Sequence, residues 1–269
     1  MVNDRKISAA LDAHTASRAA VEKKVLGIVA RLVAGFDGWY DSAKISGWTA
    51  RIVKAVEAAQ ASTATMTDAY LSQVASEVIG KSVLPVGAVD PASLRQGVTH
   101  QGVYGRLADQ WRYQESLGTA ADLIAQGVAS RAVSMVTTDL QLAFTHQSRR
   151  FMTRRGIDEW RRVLRPEMSK TGVCGLCVAA SDRMYFRGDL MPIHGNCHCG
   201  VLPVKDGVDP GRSLNREDLN RLYGEAASTY GDQLIETKYV VRENGEIGPV
   251  LAREGDAFRG PDDVAVAAR

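Results

Sequence analysis

All four cysteines of the 269-residue chain fall inside one window, as Cys174-x-x-Cys177 followed by His194-x-x-Cys197-His198-Cys199. No other feature restricts the fold as tightly. Two short thiol-bearing clusters are what a tetrahedral zinc ion requires: a Cys-x-x-Cys turn sets two thiolates on one side, and a second cluster closes the other. Six side chains compete for four positions. Cys174 and Cys177 form the stronger pair, because Gly175 gives the turn between them a small residue. Cys197 is preferred next, and the fourth ligand is either His194, which repeats the x-x spacing, or Cys199. If Cys199 ligates, His198 points away, since neighbouring side chains of an extended segment face opposite sides. Four protein ligands leave no open position for water, and no Glu lies beside the histidines, so the sequence predicts a structural metal rather than a catalytic one. Two disulfides are the alternative, but nothing in the N-terminus (Met1-Val-Asn-Asp-Arg-Lys) resembles an apolar export signal. In a reducing compartment clustered cysteines favour a metal.

Upstream, residues 1–152 read as helical almost throughout. Val21, Val25, Ile28, Val29, Leu32 and Val33 form one stripe of 3.6-residue period that stops at Gly35. Trp48, Ile52, Val53 and Val56 mark a second helix and Tyr70, Val74 and Val78 a third. Residues 80–91 read as a loop, with Asp90 as N-cap and Pro91 at the first position of the next helix. That helix carries Leu94, Val98, Val103, Leu107 and Trp111, with a break possible at Gly97, Gly102 or Gly105. A long helix then starts near Thr119, with Ile124, Val128, Val133, Val136, Leu140 and Phe144 on its apolar face. The abundance of small residues suggests closely packed, elongated helices.

The composition changes at Arg149. Arg149, Arg150, Arg154, Arg155, Arg161, Arg162 and Arg165 outweigh Asp158 and Glu159, although the whole chain carries a net charge of only +2. These arginines either solvate the end of a helix and complement its dipole, or present a patch to DNA phosphates or an acidic partner. Residues 160–164 and Met184-Tyr185-Phe186 read as short strands, and residues 214–223 as a helix. Lys238–Arg242, the Asn244-Gly245 dipeptide and Ile247–Leu251 read as a hairpin with a tight primed turn, and Pro249 confines its second strand to an edge. The expected class is α+β, mainly α: an elongated helical region (1–152), a small zinc-binding α+β domain (153–210), and a helix with a β-hairpin and flexible tail (211–269). No run approaches the roughly 20 apolar residues of a membrane span.

At Pro192-Ile-His194-Gly-Asn-Cys197-His-Cys199-Gly-Val201 the chain resembles the Mu F-like minor head proteins of tailed phages. In that family a helical region leads into Cys-x-x-Cys and then Pro-x-His-x-x-Cys-x-Cys; here these are Cys174, Cys177, Pro192, His194, Cys197 and Cys199, in order. The match covers roughly residues 150–205, and the segments 246–250 and 258–261 resemble versions from phages of actinobacteria. His198 departs from the family, which more often has arginine there. The resemblance implies a minor capsid protein of head morphogenesis. It would be located in the virion near the portal, after assembly in the host cytoplasm, and would be associated with the portal protein, with major capsid or scaffold protein and with packaged double-stranded DNA. Related proteins are often labelled capsid maturation proteases. The sequence supports that activity weakly: no Gly-x-Ser-x-Gly elbow occurs, His14, His100 and His146 lie on helices, and only Ser169 and Ser181 flank the window. A histidine-centred nuclease is weaker still, because Ile193 and Gly195 border His194. A non-enzymatic structural protein is the favoured expectation.

Overall fold

In a computed structural model of the chain the described residues are 4–165, 180–181, 184–186, 198–216 and 239–253. The fold is α+β and mainly helical. Three helices exceed thirty residues: α1 (Asp4–Ala34), α2 (Ser42–Ile79) and α4 (Ala121–Arg155), with a shorter α3 (His100–Ser116) beside them. At 1.5 Å per residue the long ones span about 45–57 Å, so the helical region is drawn out as its composition suggested.

Helix α2 is a single helix, not the two that its apolar stripes predict. Its middle third carries Ala59, Gln60, Thr63, Ala64 and Thr67 on the buried side, where small residues let α1 and α4 approach without a stripe of large ones. The hydroxyls of Thr63 and Thr67 are satisfied by carbonyls one turn back. Asp41 caps its N-terminus by accepting from the amides of Ala43 and Lys44. The proline-led helix predicted after Asp90 is only a 3-10 turn, Pro91–Ser93. The chain stays irregular until Thr99, whose hydroxyl accepts from Gly102 N and starts α3, so the break falls near Gly97. Helix α4 ends at Gly156, which adopts φ 62°, the left-handed conformation favoured at a helix C-terminus.

Two antiparallel sheets follow. In the first, β1 (Glu159–Val163) is central, flanked by β2 (Met184–Phe186) and β3 (Gly200–Val204). Arg161 faces Met184 on one side and Leu202 on the other, and Val163 faces Gly200. The second is the expected hairpin, β4 (Tyr239–Asn244) and β5 (Gly248–Arg253). Its turn differs from the two-residue form expected at Asn244-Gly245. Asn244 pairs with Gly248 across a three-residue loop; Gly248 carries the positive φ of 76°; and the Asn244 side-chain carbonyl accepts from the amides of Glu246 and Ile247. Residues 210–216 are helical, which overlaps the start of the helix expected at 214–223; its remainder lies outside the described residues, as does the flexible tail.

Two apolar clusters are formed among the described residues. A distal one joins the C-terminal half of α1, the N-terminal halves of α2 and α4, and α3, around Trp48, Ile52, Tyr104, Leu107 and Val128. A proximal one joins Ile7, Leu11, Leu71, Val74, Phe144 and Phe151 of the helices to Trp160, Val163, Leu164, Val201 and Leu202 of the sheet. The helices and β1–β3 therefore share one core across residue 152. Close approach is part of this: a Cβ on Gly200 would lie 3.3 Å from Leu11 Cδ1.

Candidate functional site

The first sheet brackets the cysteine window. The connection bearing Cys174 and Cys177 leaves β1 after Val163 and re-enters at Met184, which faces Arg161; the connection bearing His194 and Cys197 ends at β3, whose first residue, Gly200, faces Val163. The connection bearing Cys174 and Cys177 thus begins and ends where β1 finishes. The one bearing His194 and Cys197 leaves β2 after Phe186, beside Glu159 at the opposite end of the sheet, and reaches the end where β1 finishes only at Gly200. Cys174, Cys177, His194 and Cys197 lie outside the described residues. Cys199 is buried at the head of β3 among the proximal core residues, and its carbonyl accepts from Gln141 Nε2 at 3.4 Å. His198 turns to α1, with Nδ1 3.7 Å from Glu22 Oε2. Among the described residues no three His, Cys, Asp or Glu side chains cluster in a way that could hold a metal.

Several contacts fix this end of the sheet on the helices. Tyr70 O–H donates to Val201 O at 2.9 Å, and burial pushes the phenol pKa up, which keeps it a neutral donor. Arg165 pairs with Asp12 at 2.7 Å. The ring of His14 stacks on Tyr70 with centroids 4.3 Å apart and meets Thr67 Oγ1 at 3.2 Å. Burial, then the charges of Arg18 and Arg165, holds His14 well below the usual histidine range. Asn215 locks β1 from the other side, accepting from Leu164 N at 3.0 Å and donating to Arg162 O at 2.8 Å.

The seven arginines do not form one solvated patch. Arg161 is buried against Asp209, Nη2 to Oδ2 2.6 Å, and Arg162 is wholly buried. Arg150 and Arg155 donate to the carbonyls of Gly87 and Pro85, clamping the 81–89 loop that Asp68 holds from below through the amides of Val86 and Gly87. Arg149 and Arg154 stay exposed on the last turns of α4.

A second polar centre was not foreseen from the sequence. Asp139, fully buried in α4, accepts from Arg95 Nε at 2.8 Å and from Tyr104 O–H at 2.8 Å, and Gln60 Nε2 donates to its backbone carbonyl. Burial raises the Asp139 pKa, opposed by the charge of Arg95 and the bond from Tyr104. His100 pairs with Glu57 at 3.0 Å. From the hairpin tip, Glu246 forms a two-pronged pair with Arg106 at 2.8 and 3.0 Å, lies 3.7 Å from Arg95, and receives Gln96 N on its backbone carbonyl. The only sequence signal was the position of Asp139 within the long run of α4 residues that the fold buries on every side.

The Thr67 hydroxyl beside His14 is buried and donates to Thr63 O. No family model, no curated protein and no solved structure matches the chain.

Proposed function

We propose that the chain is a minor capsid protein of a tailed bacteriophage, acting in head morphogenesis at the portal and procapsid interior, with a structural zinc site at one end of its small sheet. Cys174, Cys177 and Cys197 would hold the ion together with His194 or Cys199. The zinc would contribute charge neutralisation and a cross-link that folds the segment. The observation that carries the reading is the order of Cys174, Cys177, Pro192, His194, Cys197 and Cys199, which resembles the Mu F-like proteins. The register supports it by placing both ends of the first cysteine-bearing connection, and the final end of the second, where β1 finishes. Cys199, a candidate donor, is already buried there, and a donor shielded from water suits a closed site more than a catalytic one. The long helical body gives such a clamp an extended arm to present to an assembly. In this reading Arg149 and Arg154, exposed at the end of α4, are the side chains available to DNA phosphates or an acidic partner.

Co-expression with the portal protein encoded by the same phage tests the assignment: the chain is expected to co-sediment with portal or procapsids and to be present in purified particles. A chain absent from particles and freely sedimenting beside portal would contradict it. Cleavage of the capsid precursor by the purified protein, abolished by Ser169→Ala with zinc retained, would favour the maturation protease instead.

A further inference from the structure

A cavity of about 320 Å³ opens between α3, α4 and the hairpin tip. Three guanidinium groups line it, from Arg95, Arg106 and Arg131, against one carboxylate, Glu246. Arg106 is committed to Glu246, and Arg95 to Asp139. Arg131 meets no carboxylate among the described residues; its single polar contact is the side-chain oxygen of Gln110 at 3.3 Å. Arg131 is exposed; partial burial and the charge of Arg106 lower its pKa, opposed by the nearby Asp109 carboxylate. Ser134 and Thr138 follow Arg131 at i+3 and i+7, so the three share one stripe of α4 that faces the cavity. Neither hydroxyl has a hydrogen-bond partner among the described residues. From the opposite wall Asn244 uses its side-chain carbonyl to hold the turn, which leaves its NH2 as a donor.

An unpaired guanidinium, two idle hydroxyls and an amide around one space suit a ligand with several acceptor oxygens and more than one negative charge. The cavity is larger than a bare oxyanion needs, and Val103, Met135 and Ile247 supply an apolar wall. We propose that this cavity binds a small phosphate monoester, with the phosphate held by Arg131, Ser134, Thr138 and the Asn244 amide and the organic part against Val103, Met135 and Ile247. Because the walls come from both the helices and the hairpin, an occupied site clamps the hairpin onto the bundle. The site is independent of the zinc and of the virion role.

Calorimetric titration of the full chain with adenosine monophosphate, inorganic phosphate and adenosine tests this, at fixed ionic strength. Saturable binding of the monophosphate is expected with Kd at or below about 1 mM. Arg131→Ala should weaken it by about tenfold or more, the order expected for losing a charge-assisted hydrogen bond. The double variant Ser134→Ala with Thr138→Val should weaken it several-fold even if Arg131→Ala fails to fold. Amide exchange over 239–253 should slow when the ligand is present. No saturable binding by about 10 mM, adenosine binding as well as the monophosphate, or affinity unchanged in the double variant would each overturn the proposal. Preference for a short DNA duplex over the small phosphates would overturn the small-molecule assignment.

Discussion

The two ends of the bundle are held by different means. At the distal end Phe36, Trp39, Trp48 and Trp111 pack ring against ring, Trp39 on Trp111 with centroids 4.3 Å apart and Phe36 on Trp48 at 4.4 Å. Hydrogen bonds tie aromatic side chains there to the neighbouring helices, from Trp48 Nε1 to Leu32 O and from Tyr104 to Asp139. At the proximal end apolar packing is threaded by buried polar groups, among them His14, Arg18 and Gln141. Arg18 lies 4.2 Å over the Phe144 ring, and Tyr70 and Gln141 reach across to backbone carbonyls of β3. The distal core joins adjacent helical hairpins. The proximal core joins segments from both ends of the sequence and is completed by strands on either side of the cysteine window. One end closes by helix packing; the other is completed by strands that border the cysteine window.

The largest expected effects strike the distal core and the polar centre between the two ends. Trp48→Ala empties the distal ring cluster and should cost about 3–5 kcal/mol in denaturant unfolding, with amide exchange accelerating first in α1–α3 near Trp48 and only later in β1. Asp139→Ala, midway between the ends, should cost a similar ~3–5 kcal/mol, because it strands the buried Arg95 guanidinium and the Tyr104 hydroxyl. Retention of full stability in Trp48→Ala would remove the distal half of the contrast, and in Asp139→Ala it would show that the buried acid does not hold the middle of the bundle. Glu246→Ala is expected to cost less, about 2 kcal/mol, because its partner Arg106 is partly exposed and can rehydrate. Its signature should be local, with faster exchange in β4 and β5 and an unchanged helical signal.

Acid should sharpen the comparison further. His14 in the folded chain sits below its unfolded value of 6.5, so below that pH the unfolded chain binds more protons than the folded one. Stability is therefore full above about pH 6.5 and falls as pH drops below it, by at most about 1.4 kcal/mol per unit for this group. His146, lowered by burial and by Arg149, acts with the same sign. His14→Phe keeps a ring against Tyr70 and should flatten the stability profile between about pH 6.5 and 5. An unchanged slope would mean that the buried imidazole is not what makes the proximal end acid-sensitive.

Much of the helical architecture was legible because large apolar residues recur at helical spacing in α1 and α4. The continuity of α2 was not, since Ala59, Thr63, Ala64 and Thr67 bury small surfaces that leave no stripe. Strand β3 escaped for a different reason. All of it is buried, so it shows no alternation, and Gly200 and Pro203 read as strand breakers, which an edge strand tolerates. The Asp139 centre draws Arg95, Tyr104 and Glu246 from three separate segments, and each charged residue alone looks like ordinary surface. The arginine run shows the converse: adjacent in sequence, its members are divided by the fold among loop clamps, buried pairs and solvent. For the cysteine window, the spacing pointed to a metal, and the strand register adds that the first half begins and ends, and the second half ends, where β1 finishes.

Zinc content measured together with amide exchange, before and after chelation, tests the central claim most directly. The account predicts about one zinc per chain, lost in Cys174→Ser and Cys177→Ser, and on its removal a marked rise in exchange over β1 and β3 while the helix around Trp48 stays protected. A chain that purifies without zinc, or whose β1 and β3 amides are indifferent to chelation, would contradict it.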